Sequence, residues 1–391
     1  MFTQAKQVLR RAGWAIGVLT LSLGSQLASA GNKPYDYYVT GNPDAAVHIT
    51  ATPSTPSLVL MGGGPDVDEA FRWMITRAGI RPGTGGRFVV LQASARDTYG
   101  PYIYYSDPSS STTNTPVDGW TGGASLGLSS VEALNVPSVG AANDPFVNAV
   151  VARADAVFIT GGDQSNYIQY WKGTELERTL RAVMARNAPV GGTSAGMAVL
   201  GQFDFSALRG TVTSSQALGD PYNKYMTFDP TPLSLSGGFL TPPALANMIL
   251  DTHLDSRDRM GRLLTFVARL VAPANGMGCT GGVLPAGAVP SGARGIGVDV
   301  EAALLVQGNG ADQPVTGRRV TNVSTVSDSA VYFVRPLLGA STCAPGQPLT
   351  MRNVEIRKVG DSNTVFNLSD WTGASPYYVD VISGALTSSP Y

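Results

Sequence analysis

Ser194 lies in Gly192-Thr193-Ser194-Ala195-Gly196, just after a short apolar strand beginning at Val190 and just before a helix-forming stretch from Ala195 to Leu200. That is the setting of a nucleophile elbow, a sharp strand-to-helix turn that exposes a serine hydroxyl while the flanking glycines let backbone approach closely. The chain carries its own control. Gly123-Ala124-Ser125-Leu126-Gly127 fits the same G-x-S-x-G pattern but sits among Thr, Gly and Ser with no strand before it. With 46 glycines in 391 residues, a chance match arises on the order of once in every few such chains, so context decides for Ser194. A serine hydroxyl at its free pKa is a poor nucleophile and needs a base, usually histidine. The chain has two histidines. His48 falls in a Pro- and Thr-rich stretch and reads as a surface residue. His253 lies in Asp251-Thr252-His253-Leu254-Asp255-Ser256-Arg257-Asp258-Arg259-Met260-Gly261-Arg262, where acids and arginines crowd behind the apolar run Met248–Leu250. Alone it reads equally well as a histidine in an exposed charged turn; coupled to Ser194, it is the base.

The elements that must position these residues follow a recurring grammar. Leu58–Met61 is an apolar run ending in Gly62-Gly63-Gly64-Pro65, followed by an amphipathic stretch from Asp66 to Ala78. Arg87–Gln92 then runs into a loop. Ala156–Thr160 enters Gly161-Gly162-Asp163-Gln164 and a helical stretch to Arg186, and Val190 enters the Ser194 turn. Strands alternating with helices predict an α/β fold, a mostly parallel sheet flanked by helices, with the site beyond the carboxyl ends of its strands. The loops at Gly64, Gly162 and Ser194 would gather there. Residues 100–140, rich in Ser, Thr, Gly, Pro and Tyr, read as a surface excursion or a disordered insert. From about Ala311 to Tyr391 the pattern is strand-like, at Val331–Val334, Val354–Arg357, Thr364–Asn367 and Tyr378–Val381, predicting a β-rich extension packed on the main sheet.

Composition sets outer bounds. A net charge of −1 with 14% charged residues offers no basic field for nucleic acid. Lys6, Arg10 and Arg11, the apolar stretch Ala12–Leu23 and Leu27-Ala28-Ser29-Ala30 before Gly31 read as a signal peptide over residues 1–30. An α/β catalytic domain over residues 31–310 and a β-rich extension over 311–391 would follow. Secretion or a periplasmic address is expected, with no stable membrane association, and a homodimer stays open. Cys279 and Cys343 both fall in loops, where an exported chain permits one disulfide. Two cysteines without neighbouring histidines make no zinc site, and neither a metal nor a cofactor is expected.

Taken together, Gly161–Gln164, Gly192–Gly196, Asp251–Arg262 and Gly295-Ile296-Gly297-Val298-Asp299 resemble cyanophycinase and its relative peptidase E, serine peptidases on a sheet similar to that of class I glutamine amidotransferases. The likeness runs from about Leu58 to Leu305, and the leader and long tail look like the exported branch of the cyanophycinases. It implies Ser194 as nucleophile, His253 as base, and the amides of Gly162 and Ala195 as oxyanion hole, a placement electrostatics also favours. It implies Gln164, Asp251, Arg257, Arg259 and Arg262 in the substrate pocket, although Asp255 and Asp258 could equally pair with these arginines on an exposed face. The family's acid directly follows the Asp of the Gly-Ile-Gly-Ile-Asp strand; here Val300 stands there and Glu301 one place later. In a regular strand one step reverses the face, so Glu301 needs a bulge or Asp299 must serve; Glu301 is the choice made here. The implied activity is hydrolysis of cyanophycin, an arginine-bearing poly-aspartate, to β-Asp-Arg dipeptides. The alternatives are an aspartyl dipeptidase on small Asp- or Arg-containing peptides and a binding module that kept the fold but lost the chemistry. An α/β-hydrolase esterase orders its triad Ser, acid, His, whereas the best acid here follows His253. A glutamine amidotransferase would carry cysteine in place of Ser194.

Overall fold

Apolar runs that are hydrophobic at every position, rather than at alternate ones, need cover on both faces. Leu58–Met61 has it: Leu58 and Leu60 pack into one apolar layer and Val59 and Met61 into another. The same division separates Val89 and Leu91 from Phe88 and Val90. The computed structural model describes residues 33–45, 53–94, 99–107, 119–322 and 328–391, of which 34–391 form one compact unit.

In chain order the first half holds β1 (Asp36–Gly41), β2 (Ser57–Met61), α1 (Asp68–Arg77), β3 (Arg87–Gln92), α2 (Gly100–Tyr105), β4 (Ser130–Asn135), α3 (Val139–Ala142) and α4 (Pro145–Ala152). Next come β5 (Ala156–Ile159), α5 (Gln164–Trp171), α6 (Glu175–Ala185), β6 (Val190–Thr193) and α7 (Ala195–Ala198). A small hairpin of β7 (Asp204–Phe205) and β8 (Phe228–Asp229) brackets α8 (Ser214–Gly219), and β9 (Met248–Thr252) leads into α9 (Met260–Leu270). The remainder is all strand: β10 (Arg294–Val298), β11 (Ala302–Gln307), β12 (Thr316–Thr321), β13 (Val331–Pro336), β14 (Met351–Val359), β15 (Val365–Asn367), β16 (Pro376–Ile382) and β17 (Ala385–Leu386).

The larger sheet has the order β1-β4-β3-β5-β6-β2-β11-β12-β15. Its centre, β4 to β2, is parallel, and antiparallel strands extend both edges. A second sheet, β17-β16-β14-β13-β10-β9, is antiparallel except where β9 runs beside β10. The tail does not stand apart: β12 and β15 join the first sheet, while β13, β14, β16 and β17 build the second onto the strand beside His253. The helix expected from Asp66 forms as α1, and the stretch to Arg186 forms as two helices broken at Lys172–Thr174.

The described residues between 100 and 140 depart from the reading of a surface excursion. They contain α2 and, at Ser130–Asn135, a fully paired strand between β1 and β3. Its apolar run was masked by Glu132, which is buried mid-strand and held by Arg153 at 2.7 Å and by the Tyr37 hydroxyl at 2.5 Å. The expected leader and His48 lie outside the described residues. Among the described residues no helix is long and apolar enough to cross a membrane. Cys279 and Cys343 are joined as a disulfide.

Candidate active site

The two glycines of the elbow are dictated by contact. A Cβ on Gly192 would stand 2.4 Å from the carbonyl carbon of Gly196, and one on Gly196 would stand 2.1 Å from the Ile159 carbonyl oxygen. No side chain fits either gap, so β6 can turn into α7 only with glycine at both places. Between them Ser194 takes φ +50°, ψ −116°, a strained backbone that presents its half-buried hydroxyl above the sheet. His253 follows β9 with another positive φ, +48°, and its Nε2 lies 2.8 Å from Ser194 Oγ. Ser194 and His253, 59 residues apart in sequence, are therefore within hydrogen-bond reach.

What holds both is the loop that follows β2. The amide of Ser194 donates to the Met61 carbonyl at 3.1 Å, that of His253 to the Gly62 carbonyl at 2.8 Å, and that of Glu301 to the Gly63 carbonyl at 2.8 Å. Three successive carbonyls thus index three residues from separate elements, each with positive φ. Gly63 is also the seat of the imidazole, since a Cβ there would lie 2.4 Å from His253 Nε2. Only the Gly62-Gly63-Gly64 run hints at this in sequence, because backbone carbonyls carry no residue signature.

The strand-parity concern over Glu301 dissolves in the structure. β10 ends at Val298, and Glu301 sits in a turn at φ +57° before β11, so alternation along a strand does not set its direction. Glu301 Oε2 is buried without a partner. Asp299, in contrast, spends its carboxylate on backbone: Oδ1 accepts from the Asp255 amide at 3.2 Å and Oδ2 from the Ala330 amide at 2.8 Å. Burial nevertheless pushes its pKa up to about 7. Among the described residues no carboxylate hydrogen-bonds to the second nitrogen of His253. Burial, with the fields of Arg257 and Arg259 added, lowers the imidazole pKa from 6.5 to about 4, so the ring is neutral at neutral pH.

The Gly161–Gly162 turn faces the hydroxyl: a Cβ on Gly161 would stand 3.9 Å from Ser194 Oγ. The buried Tyr167 hydroxyl pins this turn through the carbonyls of Thr160 at 2.8 Å and Gly161 at 3.0 Å. The amide of Gly162 lies in that turn and that of Ala195 directly follows the nucleophile. Gln164 opens α5 and donates from Nε2 to the Phe205 carbonyl at 3.3 Å.

The charged residues divide into two groups. Asp251 and Arg262 differ from the expectation of pocket-lining groups, because both are buried and grip each other bidentately, at 2.8 and 2.6 Å. Arg262 Nη1 donates to Thr211 Oγ1 and to the Val212 carbonyl. Its partner is Asp251 at the end of β9 rather than Asp255 or Asp258, since the start of α9 folds it inward. Arg259 donates to the Thr252 carbonyl at 2.9 Å, and burial lowers its pKa to about 10. Arg257 is exposed and makes no side-chain hydrogen bond or ion pair among the described residues. Ser125, the rival serine, lies in a short turn with its hydroxyl on the Gly122 carbonyl at 2.7 Å.

The model of peptidase family S51 matches residues 123–212, a span that includes both the Gly161–Gln164 turn and the Ser194 elbow. Cyanophycinases of Trichormus variabilis and of a Nostoc species are each 28% identical over 144 residues, 37% of this chain and 43% of theirs. The match therefore spans less than half the length of these curated relatives. Among solved structures, a peptidase from an acI-B1 actinobacterium aligns at 14% identity and TM-score 0.43 over 86% of this chain and 98% of that one. A putative peptidase E protein from Listeria monocytogenes EGD-e aligns at 14% identity and TM-score 0.35, over 68% of this chain and 100% of that one. The resemblance to the cyanophycinases holds, through the match to peptidase family S51 and to the two curated relatives.

Proposed function

We propose that this relative of peptidase family S51 is a serine-type peptidase in which Ser194 is the nucleophile, His253 the base and Glu301 the acid. The observation that carries the reading is the 2.8 Å contact between Ser194 Oγ and His253 Nε2 at a strained elbow. As Oγ attacks a peptide carbonyl, Nε2 takes its proton and returns it to the leaving amine; water then releases the acyl group by the same route. The amides of Gly162 and Ala195 would receive the developing oxyanion. Glu301 is favoured over Asp299 because Asp299 already serves two backbone amides, whereas Glu301 keeps a buried oxygen without a partner.

The substrate in this reading is cyanophycin, cut to β-Asp-Arg dipeptides by an exported exopeptidase. Two curated relatives are cyanophycinases, and Arg257 and Arg259 put positive charge beside the imidazole, where the α-carboxylates of the polymer's arginyl groups would bind. Asp251 is engaged by Arg262, which leaves the Gln164 carboxamide oxygen to meet a substrate guanidinium. The test is product analysis after incubation with purified cyanophycin, an α-aspartyl dipeptide and a p-nitrophenyl ester. Release of β-Asp-Arg from the polymer alone supports the reading. Cleavage of the small dipeptide alone moves it to an aspartyl dipeptidase, and ester hydrolysis without dipeptide release overturns it. A second reading, a catalytically weak binding module, is favoured by the unassisted imidazole and would show as polymer binding without products.

A further inference from the structure

The segment between β7 and β8, Phe228 with residues 230–233 beyond it, and the far end of α9 border an open cavity of about 480 Å³ that none of the candidate catalytic residues lines. Three cations reach its wall, Arg209, Lys224 and Arg269, and no aspartate or glutamate does. Tyr222, Phe228 and Leu233 supply aromatic and apolar surface. Arg209 and Lys224 are exposed. Arg269 is not: its guanidinium stacks 3.8 Å from the Tyr222 ring centre and 5.4 Å from that of Phe228. Its Nη1 donates to the Pro221 carbonyl at 2.5 Å, while Nε is buried with no partner. Burial lowers its pKa, with Asp220 acting against that shift; an Asp220 oxygen is already taken by the amides of Tyr222 and Gly346. A desolvated cation with an unspent donor, beside two exposed cations, favours occupation by an anion.

We propose that this cavity is a second binding site, for a small organic anion that joins a carboxylate or phosphate to an apolar or aromatic body. The anionic group meets Arg269 from one side and Arg209 and Lys224 from the mouth, and the body lies along Phe228 and Leu233. The volume falls within the range of about 300–1,000 Å³ usual for small-molecule sites.

The test is calorimetric titration of the full chain with benzoate, phenyl phosphate, inorganic phosphate and benzylamine at low and high salt. Benzoate or phenyl phosphate should bind in a salt-sensitive manner, more tightly than inorganic phosphate, and benzylamine should not; whichever of the two binds better identifies the head group. The double variant Arg209→Ala with Lys224→Ala should weaken binding by about tenfold or more, the size expected for lost charge-assisted contacts, and leave hydrolysis at Ser194 unchanged. Arg269→Met should abolish binding; if that variant does not fold, the exposed pair decides. Absence of binding by both organic anions at millimolar concentration, equal binding of benzylamine, or unchanged affinity in the double variant would overturn the proposal.

Discussion

At the scale of single residues, the chemistry turns on an imidazole kept neutral by burial and by two neighbouring arginines. With its pKa lowered to about 4, His253 is already deprotonated well below neutrality, so the acid limb of kcat/KM should fall near that pH rather than near 6.5. Arg257→Ala removes a cation that disfavours the imidazolium, and the limb should move upward. A pH–rate profile checks both, and a wild-type limb near 6.5 would contradict the assigned environment. The two candidate acids are separable by their amides. Glu301→Gln should cost orders of magnitude in kcat with little loss of stability, as expected where an acid orients the base. Asp299→Asn presents an NH₂ to a site built around amide donors and should instead lower the melting temperature. If Asp299→Asn proves the worse for kcat, the acid is Asp299.

Among the elements, the loop after β2 does the most for the site. Its Gly62 and Gly63 carbonyls, with that of Met61 at the end of β2, fix the amides of His253, Glu301 and Ser194, and its glycine at φ +104° leaves room for the imidazole. Gly63→Ala meets both obstacles at once, a Cβ in His253 and a left-handed backbone that costs about 1–3 kcal/mol outside glycine. The expected result is a kcat reduced by about a hundredfold or more, since small displacements of a catalytic group have that effect, in a protein that still folds. Full activity in this variant would mean that the imidazole is seated elsewhere. Much of this level was legible beforehand. The parallel strands read directly because burial on both faces makes Leu58–Met61 of β2, Phe88–Leu91 of β3 and all of β5 apolar, and the elbow read because its glycines are forced by contact. β4 was hidden by Glu132, whose partners Arg153 and Tyr37 come from other elements. Nor did spacing along Asp251–Arg262 show that Asp251 and Arg262 close on each other, because that pairing depends on how α9 packs.

Across the whole molecule, the tail strands form most of the sheet behind β10, and the last residue reaches the histidine loop. The Tyr391 phenol receives the Met260 amide at 3.2 Å and lies 3.1 Å from the Leu254 carbonyl and 3.0 Å from Asp258 Oδ1. Tyr391→Phe keeps the ring but frees the loop that carries His253 and Arg257; kcat should fall several-fold with KM nearly unchanged, and steady-state kinetics checks this. The Cys279–Cys343 bridge closes a span of 64 residues within the same half, worth about 4 kcal/mol on the chain-entropy view. Replacing both cysteines with serine should lower the melting temperature while leaving turnover intact below it.

The central claim is that one serine performs the hydrolysis, and the most direct measurement compares dipeptide release from cyanophycin by the wild type, Ser194→Ala and Ser125→Ala. Ser194→Ala should retain its fold and lose activity by at least about a thousandfold, as nucleophile deletions do, with Ser125→Ala unchanged. Dipeptide release persisting in Ser194→Ala, or lost in Ser125→Ala, would contradict it.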